Sequence, residues 1–171
     1  MLRPHVDLMD TTLSRFQDLP KISEIIDELV LMEIEYSAMG DSFNSSSARR
    51  AFGTLKKWAA EYRTNQIEYQ QALKILEGLP DRIVANRLKT LIESIATPVS
   101  PITRVDADRI SFPSASGRRN IFEFASEGDC TCEWRRFSRV KRPDDYCWHI
   151  VAVNAITRRL VAKQAQIEAS K

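Results

Sequence analysis

With 171 residues, 43% of them apolar and 28% charged, the chain has the composition of a soluble protein of one domain or two small ones. No window holds the ~18 consecutive apolar residues of a membrane-spanning helix, and Met1-Leu2-Arg3-Pro4-His5-Val6-Asp7 lacks the apolar stretch of a signal peptide, so an intracellular, reducing setting (cytoplasmic, or nuclear in a eukaryote) is expected. The net charge of +2 conceals an asymmetry: residues 1–100 hold 12 Lys/Arg against 14 Asp/Glu, and residues 101–171 hold 13 against 9, a mild hint of a polyanionic partner for the second part.

The first hundred residues read as helices. Val6, Met9, Leu13 and Phe16 recur on one face of a 3.6-residue period, and Pro20 ends that segment. Ile22, Ile25, Ile26, Leu29, Met32 and Tyr36 give a second, stronger stripe. Gly40 to Ser47 is polar and predicts a loop whose last serines cap a third helix bearing Phe52, Leu55, Trp58, Ala59 and Tyr62. Thr64 opens a fourth with Ile67, Leu73 and Leu76, stopped at Gly78-Leu79-Pro80. Asp81 opens a fifth with Val84, Leu88, Leu91, Ile92 and Ile95. Thr97-Pro98-Val99-Ser100-Pro101 then reads as a stiff linker.

Beyond it the period changes to two. Asp108 to Phe112 and Ile121 to Ala125 read as strands, with Ser114-Ala115-Ser116-Gly117 as turn material between them. From about Cys147 to Ala169 the pattern is helical again, with Ile150, Val153, Ile156, Leu160 and Val161 on the apolar side. The expected fold is α+β, an N-terminal helical bundle over 1–97, a linker at 98–101 and a small ββα module over 102–171. On that division, loss of whatever staples the module should spare the bundle.

All three cysteines and one of the two histidines fall between Cys130 and His149. In an extended segment residues two apart point to the same side, so Cys130 and Cys132 can offer both sulfurs to one ion. Cys147 and His149 cannot share a face inside a regular helix, and converge only where they straddle the start of one. Pro143-Asp144-Asp145 just upstream suits such a start, and the helix N-terminus favours the Cys147 thiolate. Three thiolates and a neutral imidazole make a closed set suited to one structural Zn2+, with no position left for a catalytic water. Arg135 and Arg136 lie near enough in sequence to offset the site's net negative charge. Tyr146 and Trp148, flanking a ligand, are expected to pack around the site.

Cys130-Thr131-Cys132, a spacer, and Cys147-Trp148-His149 opening a helix, preceded by a hairpin around Arg109–Phe112 and Asn120–Ala125, resembles the SWIM-type zinc finger over roughly residues 103–160. All four ligand positions match. The resemblance implies a zinc-stabilised ββα module that binds DNA or protein, and implies no enzymatic activity.

The spacer from Glu133 to Arg142 carries five basic residues and one acid, interleaved with Trp134 and Phe137. Arginines there would meet phosphates and an aromatic would stack on an unpaired base. The expected nucleic-acid contacts are Arg118 and Arg119 at the hairpin tip with Arg135, Arg136, Arg139, Lys141 and Arg142, extended by Arg158, Arg159 and Lys163 on the last helix. The competing reading is a solvated loop with the two aromatics packed on the module's own core. No carboxylate pair or glycine-rich phosphate loop points to catalysis. The sequence thus predicts a non-catalytic accessory protein whose zinc module touches nucleic acid and whose helical part binds a protein; the alternative is an adaptor that docks on proteins alone.

Overall fold

The computed structural model describes residues 18–95, 102–114 and 121–171, with the side chains at 62–66 and 91–95 excepted. Helix α1 (Ile22–Ala38) carries the expected stripe, with Ile25, Leu29 and Met32 buried. It closes at Gly40, whose φ of +73° lies in the left-handed region that favours glycine. Asp41 then caps α2 (Ser42–Glu77): its carboxylate accepts the Asn44 backbone N–H at 3.0 Å and the Asn44 amide at 2.7 Å.

The serine run expected as a loop is therefore helix, and its hydroxyls explain why. Ser45 Oγ lies 2.9 Å from Ser37 Oγ, and Ser47 Oγ donates to the Tyr146 carbonyl at 2.7 Å. A serine committed to such partners does not compete for the helix's own backbone groups. The two helices expected on either side of Thr64 are one, since neither proline nor glycine falls between Gly53 and Gly78. Asp81 opens α3 (Arg82–Ile95) as expected, its Oδ1 accepting the Ile83 and Val84 N–H groups at 2.9 and 3.2 Å. The helix expected over Val6–Phe16, the linker at 98–101 and the turn at Ala115–Gly117 lie outside the described residues.

The change of period marks a four-stranded antiparallel sheet, ordered β1 (Thr103–Arg104), β2 (Ile110–Pro113), β3 (Phe122–Ser126) and β4 (Asp129–Cys130). The two long strands are those expected, paired Ile110 to Ala125 and Phe112 to Glu123. The two-residue edge strands are additions, too short to carry a period. A further addition is α4 (Glu133–Ser138), inside the stretch expected to be an irregular spacer. The chain ends in α5 (Trp148–Ala169). The fold is α+β with its helices first.

By internal packing, the described residues up to Lys56 group with Ile102–Lys171 in one compact unit, and those of Lys57–Pro101 form another. In the first unit α5 is the core: Ile150, Val151, Ala152, Val153, Ala155 and Ile156 are buried, so it is covered on all sides along its first two turns. Strands β3 and β4 and helix α1 pack against it. In the second unit Leu76 and Ala85 are buried, while Ile67, Ile75, Ile83, Val84 and Leu88 are exposed.

Helices α1 and α5 are also joined by charge. Arg158 donates to both Glu35 oxygens at 2.8 and 2.7 Å and its Nε lies 2.9 Å from Glu28 Oε1, with Arg159 Nε 3.1 Å from the other Glu28 oxygen. Glu28 is buried, so the pair does more than an exposed ion pair would. Arg158→Met is expected to lower stability by about 1–3 kcal/mol, measured by chemical denaturation at neutral pH. The hydrogen bond from Arg158 holds the Glu35 carboxyl below its ordinary pKa. That contribution is present above the usual carboxylate range and is lost as pH falls through the depressed value, so the Glu35 share of the difference between wild type and variant should shrink in acid.

Candidate metal centre and its surroundings

The centre is assembled from three element ends. A two-residue turn, Glu127-Gly128 with φ +77° at the glycine, returns β3 into β4 and sets Cys130 opposite Ala125. Thr131 fixes the next step: its N–H donates to the Phe124 carbonyl, and its hydroxyl accepts the Phe124 N–H, both at 3.0 Å. Cys132, extended, is the N-cap of α4; Cys147, also extended, is the N-cap of α5, with His149 in that helix's first turn. The straddled helix start expected from the Cys-x-His spacing is what the chain adopts.

The four residues are buried, and their ligand atoms all lie within 4.8 Å of one another. Each sulfur receives one backbone N–H: Cys130 from Cys132 at 3.4 Å, Cys132 from Arg135, and Cys147 from Ile150. Such donors favour the thiolate. The sulfurs nevertheless share protons unequally. Hydrogen bonds from Cys130 and Cys147 hold Cys132 far below the ordinary thiol range, whereas its bonds to Cys132 and Cys147, with burial, drive Cys130 far above it. Cys147 is pushed up to about 12, the pull of Cys130 outweighed by its bond to Cys132 and by burial.

His149 supplies the test of fit. It is 5% exposed, and apart from the Cys132 sulfur at one of them neither ring nitrogen has a hydrogen-bond partner among the described residues. An imidazole stranded in this way costs on the order of 1–3 kcal/mol, and a metal bond at one nitrogen would relieve much of it. Trp148 lies over the His149 ring, centroids 3.9 Å apart, and Phe112 approaches at 5.6 Å. These rings orient the imidazole and shield it. No protein-family model, curated protein or solved structure matches the chain. The donor atoms alone therefore carry the chemistry: Cys130, Cys132, Cys147 and His149 can hold one metal ion.

The expected nucleic-acid contacts separate into two kinds. Arg135 is 4% exposed and turned inward. Its guanidinium donates to the carbonyls of Gly128 at 2.8 Å, Asp145 at 3.0 Å and Pro143 at 3.2 Å, and lies over the Tyr146 ring at 5.8 Å. It is a structural arginine and leaves the surface set. Arg136, Arg139, Lys141 and Arg142 are exposed; among the described residues Arg139 and Arg142 make only long pairs, 3.9 Å each, to Asp129 and Asp145. Arg118 and Arg119 lie outside the described residues. Arg158 and Arg159 are engaged with α1, as described above.

The aromatics also part company. Trp134 stacks on Phe43 of α2, centroids 5.0 Å apart and planes 20° apart, whereas Phe137 is 75% exposed. Sequence reasoning missed the supports that α2 provides. Asn44 accepts the Tyr146 N–H at 2.8 Å and donates to the Asp144 carbonyl at 2.9 Å, and Ser47 bonds the Tyr146 carbonyl. Both are buried. The helix thus grips the backbone immediately before Cys147, by contacts about a hundred residues apart in sequence that no local pattern announces.

Proposed function

We propose that the protein is a non-catalytic, zinc-dependent accessory factor in which a SWIM-like module contacts nucleic acid. Zinc is the ion because three thiolates and an imidazole are soft and borderline donors in a closed set, which suits Zn2+ and disfavours calcium and magnesium. It would act structurally, holding β4, α4 and the start of α5 together.

The observation that carries the nucleic-acid reading is the surface between the two ligand pairs. Arg136, Arg139, Lys141 and Arg142 stand exposed around Phe137, with Val140 83% exposed among them. Anchored at both ends by ligands, this segment has little conformational freedom to lose on binding. Cations that make no close ion pair among the described residues are available to phosphates, and an exposed ring to a base.

The test is a binding titration at two salt concentrations. Replacing Arg139, Lys141 and Arg142 together by Ala should lower affinity for DNA or RNA and flatten its salt dependence by roughly three counterions' worth, with zinc content unchanged. Wild-type protein with full zinc that binds neither single- nor double-stranded probes at low salt would favour a second reading, an adaptor between proteins. The exposed Ile67, Ile75, Ile83, Val84 and Leu88 support a protein partner for the helical part under either reading.

A further inference from the structure

Between the start of α2 and the metal cluster lies a pocket of about 330 Å³, a volume that includes the space a metal ion among the ligands would fill. Its walls are Phe43, Trp134 and Trp148, its rim holds Ser46 and Arg50, and ligands of the cluster form part of its lining. No carboxylate of the described residues lines it. Arg50 is exposed and makes no ion pair among the described residues, in contrast to its neighbour Arg49, which is fixed 2.7 Å from Glu33. A free guanidinium over an aromatic, acid-free cavity is chemically asymmetric: it suits a ligand with a flat apolar body and an anionic end.

We propose that this pocket takes one unpaired nucleotide of a single strand, its base among the aromatic walls and its phosphate at Arg50; this rests on the nucleic-acid reading above. Three observations converge. The stacking of Trp134 on Phe43 fixes the indole before any ligand arrives, so little ordering is needed on binding. Trp134 and Phe137 are three residues apart on α4, hence neighbours on one face, and the exposed Phe137 is positioned to meet an adjacent base. The exposed cations Arg136, Arg139, Lys141 and Arg142 follow along the same segment, where a backbone leaving the pocket would need countercharge. A base still paired within a duplex cannot enter a concave site, so the arrangement selects single strands.

The experiment uses the zinc-loaded full chain with a short mixed-sequence single strand and the duplex made from it. Wild type should bind the single strand more tightly. Arg50→Ala, at an exposed position with no ion pair to lose, should weaken single-strand binding roughly 5- to 10-fold and lower the salt slope by about one, leaving duplex binding unchanged. Trp134→Leu should weaken single-strand binding roughly 5- to 100-fold, the range seen for losing one stacked base, with zinc content and thermal unfolding as the check that the fold persists. If Arg50→Ala binds the single strand as wild type does, or if the duplex loses as much, the pocket is not a nucleotide site. That failure is distinct from failure of the broader reading, in which wild type binds neither probe.

Discussion

Removing the metal ion proposed for the cluster, by chelation or by Cys147→Ser, is expected to unfold Ile102–Lys171 and to release residues 22–56 with it. The sequence pattern alone divides the chain near Pro98 and would have the helices survive. The structure supplies a reason for the larger effect. Asn44 and Ser47 are buried against the backbone of Asp144 to Tyr146, the stretch that delivers Cys147, and α1 packs along α5, whose first turn carries His149. Once the ligand pairs separate, Asn44 keeps Asp41 but loses the Asp144 carbonyl and the Tyr146 N–H, and α5 loses the anchor at its N-terminus. Structural zinc in small modules contributes on the order of 10–16 kcal/mol at neutral pH, comparable with the ~5–15 kcal/mol that separates folded from unfolded in a whole domain. Limited proteolysis with and without chelator reads the outcome directly. New cuts are expected between Ile22 and Lys56 as well as after Ile102. Continued protection of residues 22–56 in the apo protein would show that the helices stand without the cluster.

The cluster was legible in the sequence because its signal is local and chemical. Two ligand types at spacing two in an extended segment, and two more at a helix start, leave few alternatives for three cysteines so clustered. The long strands and α5 were legible because each repeats its period several times. What escaped was everything set by a distant partner. The serines at 42–47 look like loop because their propensity is weak and polar; Tyr146 and Ser37, which satisfy Ser47 and Ser45, are invisible to a local window. The same holds for α4, where Cys132 begins a helix inside a stretch whose charge suggested only exposure. Arg135 and Arg136 are indistinguishable as letters. Position on a six-residue helix sends the first inward to three carbonyls and leaves the second in water.

That pair of neighbours allows a sharp comparison. Arg135→Met is expected to destabilise the first unit by about 3–5 kcal/mol and to speed zinc loss to a chelator roughly 10- to 100-fold. The Gly128 carbonyl belongs to the turn before Cys130, and the Pro143 and Asp145 carbonyls belong to the approach to Cys147. One planar guanidinium therefore ties together the two segments that carry the ligands. Methionine fills similar volume but leaves all three carbonyls without this donor, at about 1–3 kcal/mol for each one that stays buried. Arg135→Lys should recover only part of the loss, because one ammonium cannot reproduce a planar fork that spans three acceptors. Arg136→Met, one residue along and exposed, should leave both unfolding and zinc release within error of wild type. Thermal melts and chelator-competition half-times on the three variants decide the matter. Equal zinc release from Arg135→Met and wild type would mean that the ligands alone hold the two segments together, with Arg135 contributing packing and nothing more.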